Sequence, residues 1–136
     1  MKKILIAMVC LMLLLFAAAA DTPEIHTEID CVDLVKNQDT HRFELYELIG
    51  TVSKARPAKI HISNMESPWQ VLFIPNDYPT CTLWIVCNLP EGHADIQKGD
   101  RVHFIGSYQS AADISDGKGN IVQIPFFIAG TFEITE

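Results

Sequence analysis

From Phe43 to Thr135 apolar and polar positions alternate with a period of about two, broken by clusters of turn residues, which predicts a succession of strands. Phe43 to Lys54 (FELYELIGTVSK) reads as the first, with Gly50 inside it marking a bulge or sharp bend. Pro57 interrupts, after which Ile60 and Ile62 alternate with His61 and Ser63. Trp69 to Pro75 is a second strand, closed by the Asn76-Asp77-Tyr78-Pro79 turn, and Thr80 to Asn88 a third. Lys98-Gly99-Asp100 turns the chain into a fourth, Arg101 to Tyr108, where Val102, Phe104 and Gly106 alternate with Arg101, His103 and Ile105. Asp116-Gly117 and Gly119-Asn120 mark another turn. The last strand, Pro125 to Thr135, sets Ile128, Phe132 and Ile134 against Thr131, Glu133 and Thr135. Residues 28–38 (EIDCVDLVKNQ) follow the helical period instead. Ile29, Val32, Leu34 and Val35 share a side, and acids precede Lys36 in the order that suits the helix dipole.

Five strands with no long helix between them imply antiparallel pairing, and a sheet so small gains from closing into a barrel that hides its edges. Gly50, Gly106 and Gly130 fall mid-strand, where closure needs sharp bends. The expectation is a mainly β, five-stranded antiparallel barrel, preceded by one short N-terminal helix.

The N-terminus alters the domain boundaries and the charge. Met1-Lys2-Lys3 is a positive start, Ile4 to Phe16 is continuously apolar, and Ala17 to Ala20 supplies the small residues that a signal peptidase requires. Ile4 to Ala20 spans 17 residues, at the short edge of the roughly 17–25 needed for a membrane-crossing helix. Cys10 lacks a small residue before it and sits inside the apolar run, so it is not a lipidation site. A signal peptide over residues 1–20, cut after Ala20, therefore precedes a single domain over 21–136 in a secreted or periplasmic protein with no stable membrane span after cleavage. Losing Lys2 and Lys3 leaves 8 of the 10 Lys+Arg against all 17 Asp+Glu, and the net charge moves from -7 to -9. So acidic a surface disfavours non-specific nucleic-acid binding.

Export also permits disulfides, and three cysteines follow the cleavage point: Cys31, Cys81 and Cys87. Along a straight strand Cys81 and Cys87 stand about 20 Å apart, beyond the reach of a disulfide. Any bond must involve Cys31, with Cys81 or Cys87. No doubled Cys or His spacing points to zinc, and neither a metal nor a cofactor is expected.

The bent first strand ending LIGTVSKA, two apolar strands, and then QKGDRVHFIGSY resemble an oligonucleotide/oligosaccharide-binding (OB) fold. The chain is most similar to small exported bacterial tRNA-anti-like OB domains, with Gly50-Thr51-Val52, Cys87, and Gly99-Asp100-Arg101-Val102 with Gly106 at the corresponding places. The resemblance spans residues 28–135 and implies an OB-type Greek-key barrel that binds across the second and third strands and their flanking loops. Lys54, Arg56, Lys59 and His61 crowd the first of those loops, Trp84 lies on the third strand, and Lys118 precedes the last. If Cys81, Leu83, Ile85 and Cys87 fill the barrel, Trp84 faces outward. In the second strand Trp69, Val71 and Phe73 or Leu72 and Ile74 can equally face the core. Cations interleaved with aromatics suit a single-stranded nucleic acid, since phosphates attract cations and bases stack. A surface loop and core packing account for the same residues without a ligand. No nucleophile elbow, phosphate-cradling loop or His-Glu-Xaa-Xaa-His pair is present, so a binding module is expected and an enzyme is not. Its partner is a small ligand, an oligonucleotide or a cell-envelope protein.

Overall fold

The computed structural model describes residues 23–62 and 64–135; the expected signal peptide, Cys10 and the cut after Ala20 lie outside them. The strands are β1 (Ile25–His26), β2 (Leu45–Pro57), β3 (Pro68–Pro75), β4 (Leu83–Asn88), β5 (Arg101–Ser115) and β6 (Ile121–Thr135), with short helices α1 (Cys31–Lys36) and α2 (Gln38–His41) between β1 and β2. Strands β2, β3, β4, β6 and β5 neighbour one another in that order, and β5 returns to pair with β2. The result is a closed five-stranded barrel, with β1 added beside Leu45 and Tyr46 of β2.

The sheet is mixed, which corrects the wholly antiparallel expectation. A ring of alternating directions needs an even number of strands; with five, one neighbouring pair must run the same way. That pair is β4 and β6, joined only through Trp84–Val86 and Phe126–Ile128. The short edge strand β1 also runs parallel to β2. Closure by an odd number of strands thus places the thinnest seam of the barrel beside Trp84.

The expected bulge at Gly50 lies three residues on, between Val52 and Lys54, where Ser53 drops out of register with β3. Gly50 serves a different need. A Cβ there would collide with the Ile74 carbonyl oxygen and meet the Phe73 ring at 2.6 Å, so only glycine admits the close approach of β2 to β3. Ile60 and Ile62 lie in an irregular segment, 58–62, rather than a strand.

Burial alternates strictly along Arg101–Tyr108, and the inward residues meet in one core. Phe104 stands edge-on to Phe73 at 5.1 Å and to Phe127 at 5.8 Å, the geometry favoured by the ring quadrupole. In β3 the inward set is Val71 and Phe73, with Trp69 packed against the same core.

The helical span expected over 28–38 is divided. Asp30 is extended and caps α1, its side chain accepting from the Asp33 amide at 3.1 Å. Asn37 ends α1 by donating its side-chain amide to Asp33 at 2.6 Å and its backbone N–H to the Asp33 carbonyl, and the chain restarts as α2. Leu34 of α1 enters the core, and the buried Tyr108 hydroxyl donates to its carbonyl. A disulfide joins Cys31 of α1 to Cys81 before β4, with Cα atoms 6.0 Å apart. Cys87 is free and buried in the barrel core.

Candidate functional site

On the outer surface the register aligns one residue from each barrel strand. Lys54 of β2 pairs with Leu72 of β3, Leu72 with Trp84 of β4, Trp84 with Phe126 of β6, and Phe126 with Ser110 of β5. These side chains point away from the core because their neighbours Val71, Phe73, Leu83, Ile85 and Phe127 are buried within it. Trp84 is half-buried, its ring tilted against Phe126 at 5.2 Å. Phe126 therefore flanks the indole from β6.

Beyond Tyr108 the β5–β6 hairpin leaves the barrel as an arm. Its turn is tied by Asp116, whose carboxylate accepts from the Lys118 amide at 2.7 Å and the Asn120 amide at 3.3 Å, with Gly117 and Gly119 at positive φ. The Lys118 amide and the other hydrogen bonds hold the Asp116 carboxyl below its ordinary range. The arm faces β2 and β3 across a cleft of about 350 Å³. Leu72 and Trp84 line it, with Lys54 and Arg56 from β2 and Asp113 and Ile114 from the arm. With its amide oxygen turned toward Arg56, Gln70 accepts from Nε at 2.6 Å and Nη2 at 3.2 Å, which orients the guanidinium along the wall. Asp113 accepts from Gln123 at 3.2 Å across the arm. The cleft thus combines an apolar, aromatic surface, two exposed cations from one strand and a carboxylate from the arm.

Of the residues singled out in the sequence, Lys54, Arg56 and Trp84 come together in this cleft. Lys59 and His61 are exposed in the irregular segment 58–62, and Lys118 is exposed at the tip of the arm, all three outside the cleft lining. Gln70, Leu72, Asp113 and Ile114 were missed. The turn signals at Asp116–Asn120 were the available clue, since a tight turn implies that the residues on either side of it pair.

A second polar cluster joins the helices to the barrel. His41 engages Glu44 through Nδ1 at 2.6 Å and Asp33 through Nε2 at 2.7 Å. Two carboxylate partners require both ring nitrogens to donate, which favours imidazolium. Burial opposes that charge, but the hydrogen bonds to Glu44 and Asp33 outweigh it and hold the His41 pKa above its ordinary value. Asp33 is held below the usual carboxylate range by the Asn37 hydrogen bond, with His41 adding to the effect against a partial desolvation. On the barrel's outer wall His103 meets Glu47 at 2.8 Å and Glu133 at 3.8 Å. Among the described residues no group of three or more His, Cys, Asp or Glu is arranged to hold a metal ion. Burial pushes the Cys87 thiol up to about 12, so it stays protonated and inert at neutral pH.

No protein-family model and no curated protein matches this chain.

Proposed function

We propose that this protein is an exported, non-catalytic binding module built on an OB-type barrel, and that it takes its ligand in the cleft between β2–β3 and the arm. The strand order β2-β3-β4-β6-β5 with closure onto β2, and the parallel β4–β6 pair, support the OB-type reading. The observation that carries the function is the transverse row Lys54–Leu72–Trp84, flanked by Phe126, facing the arm across the cleft. It offers a ligand a planar apolar face beside two cations, and so favours a molecule with an aromatic or apolar body and an anionic group. The Cys31–Cys81 disulfide agrees with the oxidising compartment to which the signal peptide over residues 1–20 would deliver the chain.

The test is a titration with 1-anilinonaphthalene-8-sulfonate, an aromatic anion, followed by its fluorescence. Binding should be saturable and fall by about tenfold or more in Trp84→Ala and in Lys54→Glu, as removing a stacking surface or inverting a wall charge should produce. Equal binding by the wild type and both variants would contradict it. A single-stranded oligonucleotide titrated in parallel reports whether the anion can be a phosphate backbone. Two cleft cations give a salt slope of about -1.4, or about sevenfold weaker binding between 50 and 200 mM salt.

A further inference from the structure

We infer that Gln38 and Arg42 are positioning residues of the cleft: from α2 and the residue after it they hold the base of the arm, and so set where Asp113 and Ile114 stand opposite Lys54 and Arg56. The inference rests on the reading of the cleft as a ligand site.

The β2–β5 ladder runs out at Leu45 opposite Ser107, extended by the Phe43 amide donating to the Tyr108 carbonyl at 2.7 Å and the Tyr108 amide donating to Glu44 at 2.9 Å. Past that point β5 continues for seven residues with β6 on one side and no β2 partner on the other. A bare two-stranded ribbon is marginal in water, and its free edge invites fraying. At this position β5 also bulges: Tyr108 pairs with Phe127 and Ser110 with Phe126, leaving Gln109 out of register. Arg42 Nε donates to the carbonyl of that bulged residue at 3.0 Å. Two residues further, the Ala111 amide donates to Gln38 Oε1 at 3.0 Å. A primary amide presents the same acceptor as a peptide carbonyl, so Gln38 takes the place of a strand partner where β2 has turned away.

Both side chains are themselves held. Gln38 donates from Nε2 to the Val35 carbonyl at 3.3 Å, and Arg42 Nη1 lies 3.1 Å from Asp39. The helices are anchored in turn by Leu34 in the core and by the Cys31–Cys81 disulfide. Phe43, at φ 71°, makes the sharp reversal from α2 into β2 that brings Arg42 alongside the arm. The chain of support runs from disulfide to helix to arm to cleft wall.

The experiment is amide hydrogen exchange on the whole protein, with the Gln38→Ala/Arg42→Ala double variant beside the wild type. Two lost hydrogen bonds at an edge predict about tenfold faster exchange of the arm amides 111–115, with amides of Ile85 and Phe104 in the barrel unchanged. The same variant should bind 1-anilinonaphthalene-8-sulfonate about three- to tenfold more weakly, and Arg42→Lys, which keeps one donor for Gln109, should recover at least part of the arm protection. Wild-type exchange rates in the arm, or equal acceleration of arm and barrel, would overturn the inference. If the wild type does not bind the probe, the cleft reading fails while the exchange data still decide whether Gln38 and Arg42 hold the arm.

Discussion

Strands β5 and β6 form one continuous antiparallel hairpin whose two halves behave differently. In the barrel half, Val102, Phe104 and Tyr108 from β5 meet Phe127 and Phe132 from β6 in the core, and burial alternates cleanly. In the arm half, residues 111–115 and 121–123 have no fully buried side chain, and Ile121 is 67% exposed. The hairpin ladder is the same in both; what differs is whether other strands and a core back it. Closure supplies stability, and the half left outside it supplies a wall that can shape a binding surface.

The largest difference should come from deleting a ring in each half. Phe127→Ala removes a fully buried ring that meets Phe104, Tyr46 and Tyr108, and should cost about 3–5 kcal/mol in urea denaturation. Ile121→Ala in the arm should change stability by no more than about 0.5 kcal/mol. Comparable costs would mean that the arm contributes to the cooperative core. Next is the disulfide, which closes a sequence separation of 50 residues between the helices and the barrel. Replacing Cys31 and Cys81 together by Ser should lower the unfolding free energy by about 2–4 kcal/mol.

A subtler pair compares two mid-strand glycines. Gly50→Ala forces a Cβ against the Ile74 carbonyl and should destabilise by about 1–3 kcal/mol. Gly130→Ala, with the Ile105 oxygen 4.0 Å away, should cost less than about 0.5 kcal/mol. Similar melting points for the two variants would contradict the close approach of β2 to β3 at Gly50.

The smallest effect is pH-linked. His41 has its folded pKa raised above 6.5, so the stability it contributes is fully present below that value and is lost as pH rises through the folded pKa. Asp33, held below 3.8, behaves oppositely, contributing above that value and losing the contribution as pH falls through its folded pKa. Urea midpoints at pH 5.5 and 8.5 should therefore show a larger wild-type advantage over His41→Gln at the lower pH. An advantage that grows with pH would show that His41 is not held as imidazolium.

Much of the barrel half was legible in the sequence because a core lies beneath it. Arg101–Tyr108 alternates only because every second side chain is buried, and in β4 the sequence left Trp84 outside only on the condition that Cys81, Leu83, Ile85 and Cys87 fill the barrel, as they do. In β3 parity gave no answer, since the inward Val71 and Phe73 and the cleft-lining Leu72 are all apolar. The arm escaped notice for the opposite reason. Gln109–Ser115 is mostly small and polar with no core to impose a period, so the alternation stops at Tyr108 and gives no sign of the wall formed by Asp113 and Ile114. Charge clustering located Lys54 and Arg56 but could not separate them from Lys59 and His61, which the bulge at Ser53 and the turn past Pro57 carry elsewhere. The parallel pair was available from counting alone, because five strands cannot close with every neighbour antiparallel.

The most direct measurement is a map of backbone and indole NMR shifts while 1-anilinonaphthalene-8-sulfonate is added to the protein. Perturbations should concentrate on the Trp84 indole, Lys54, Leu72 and Asp113, with His103 and Glu133 on the outer wall unaffected. Shifts centred on the His103 wall, or an unmoved Trp84 indole at saturation, would contradict it.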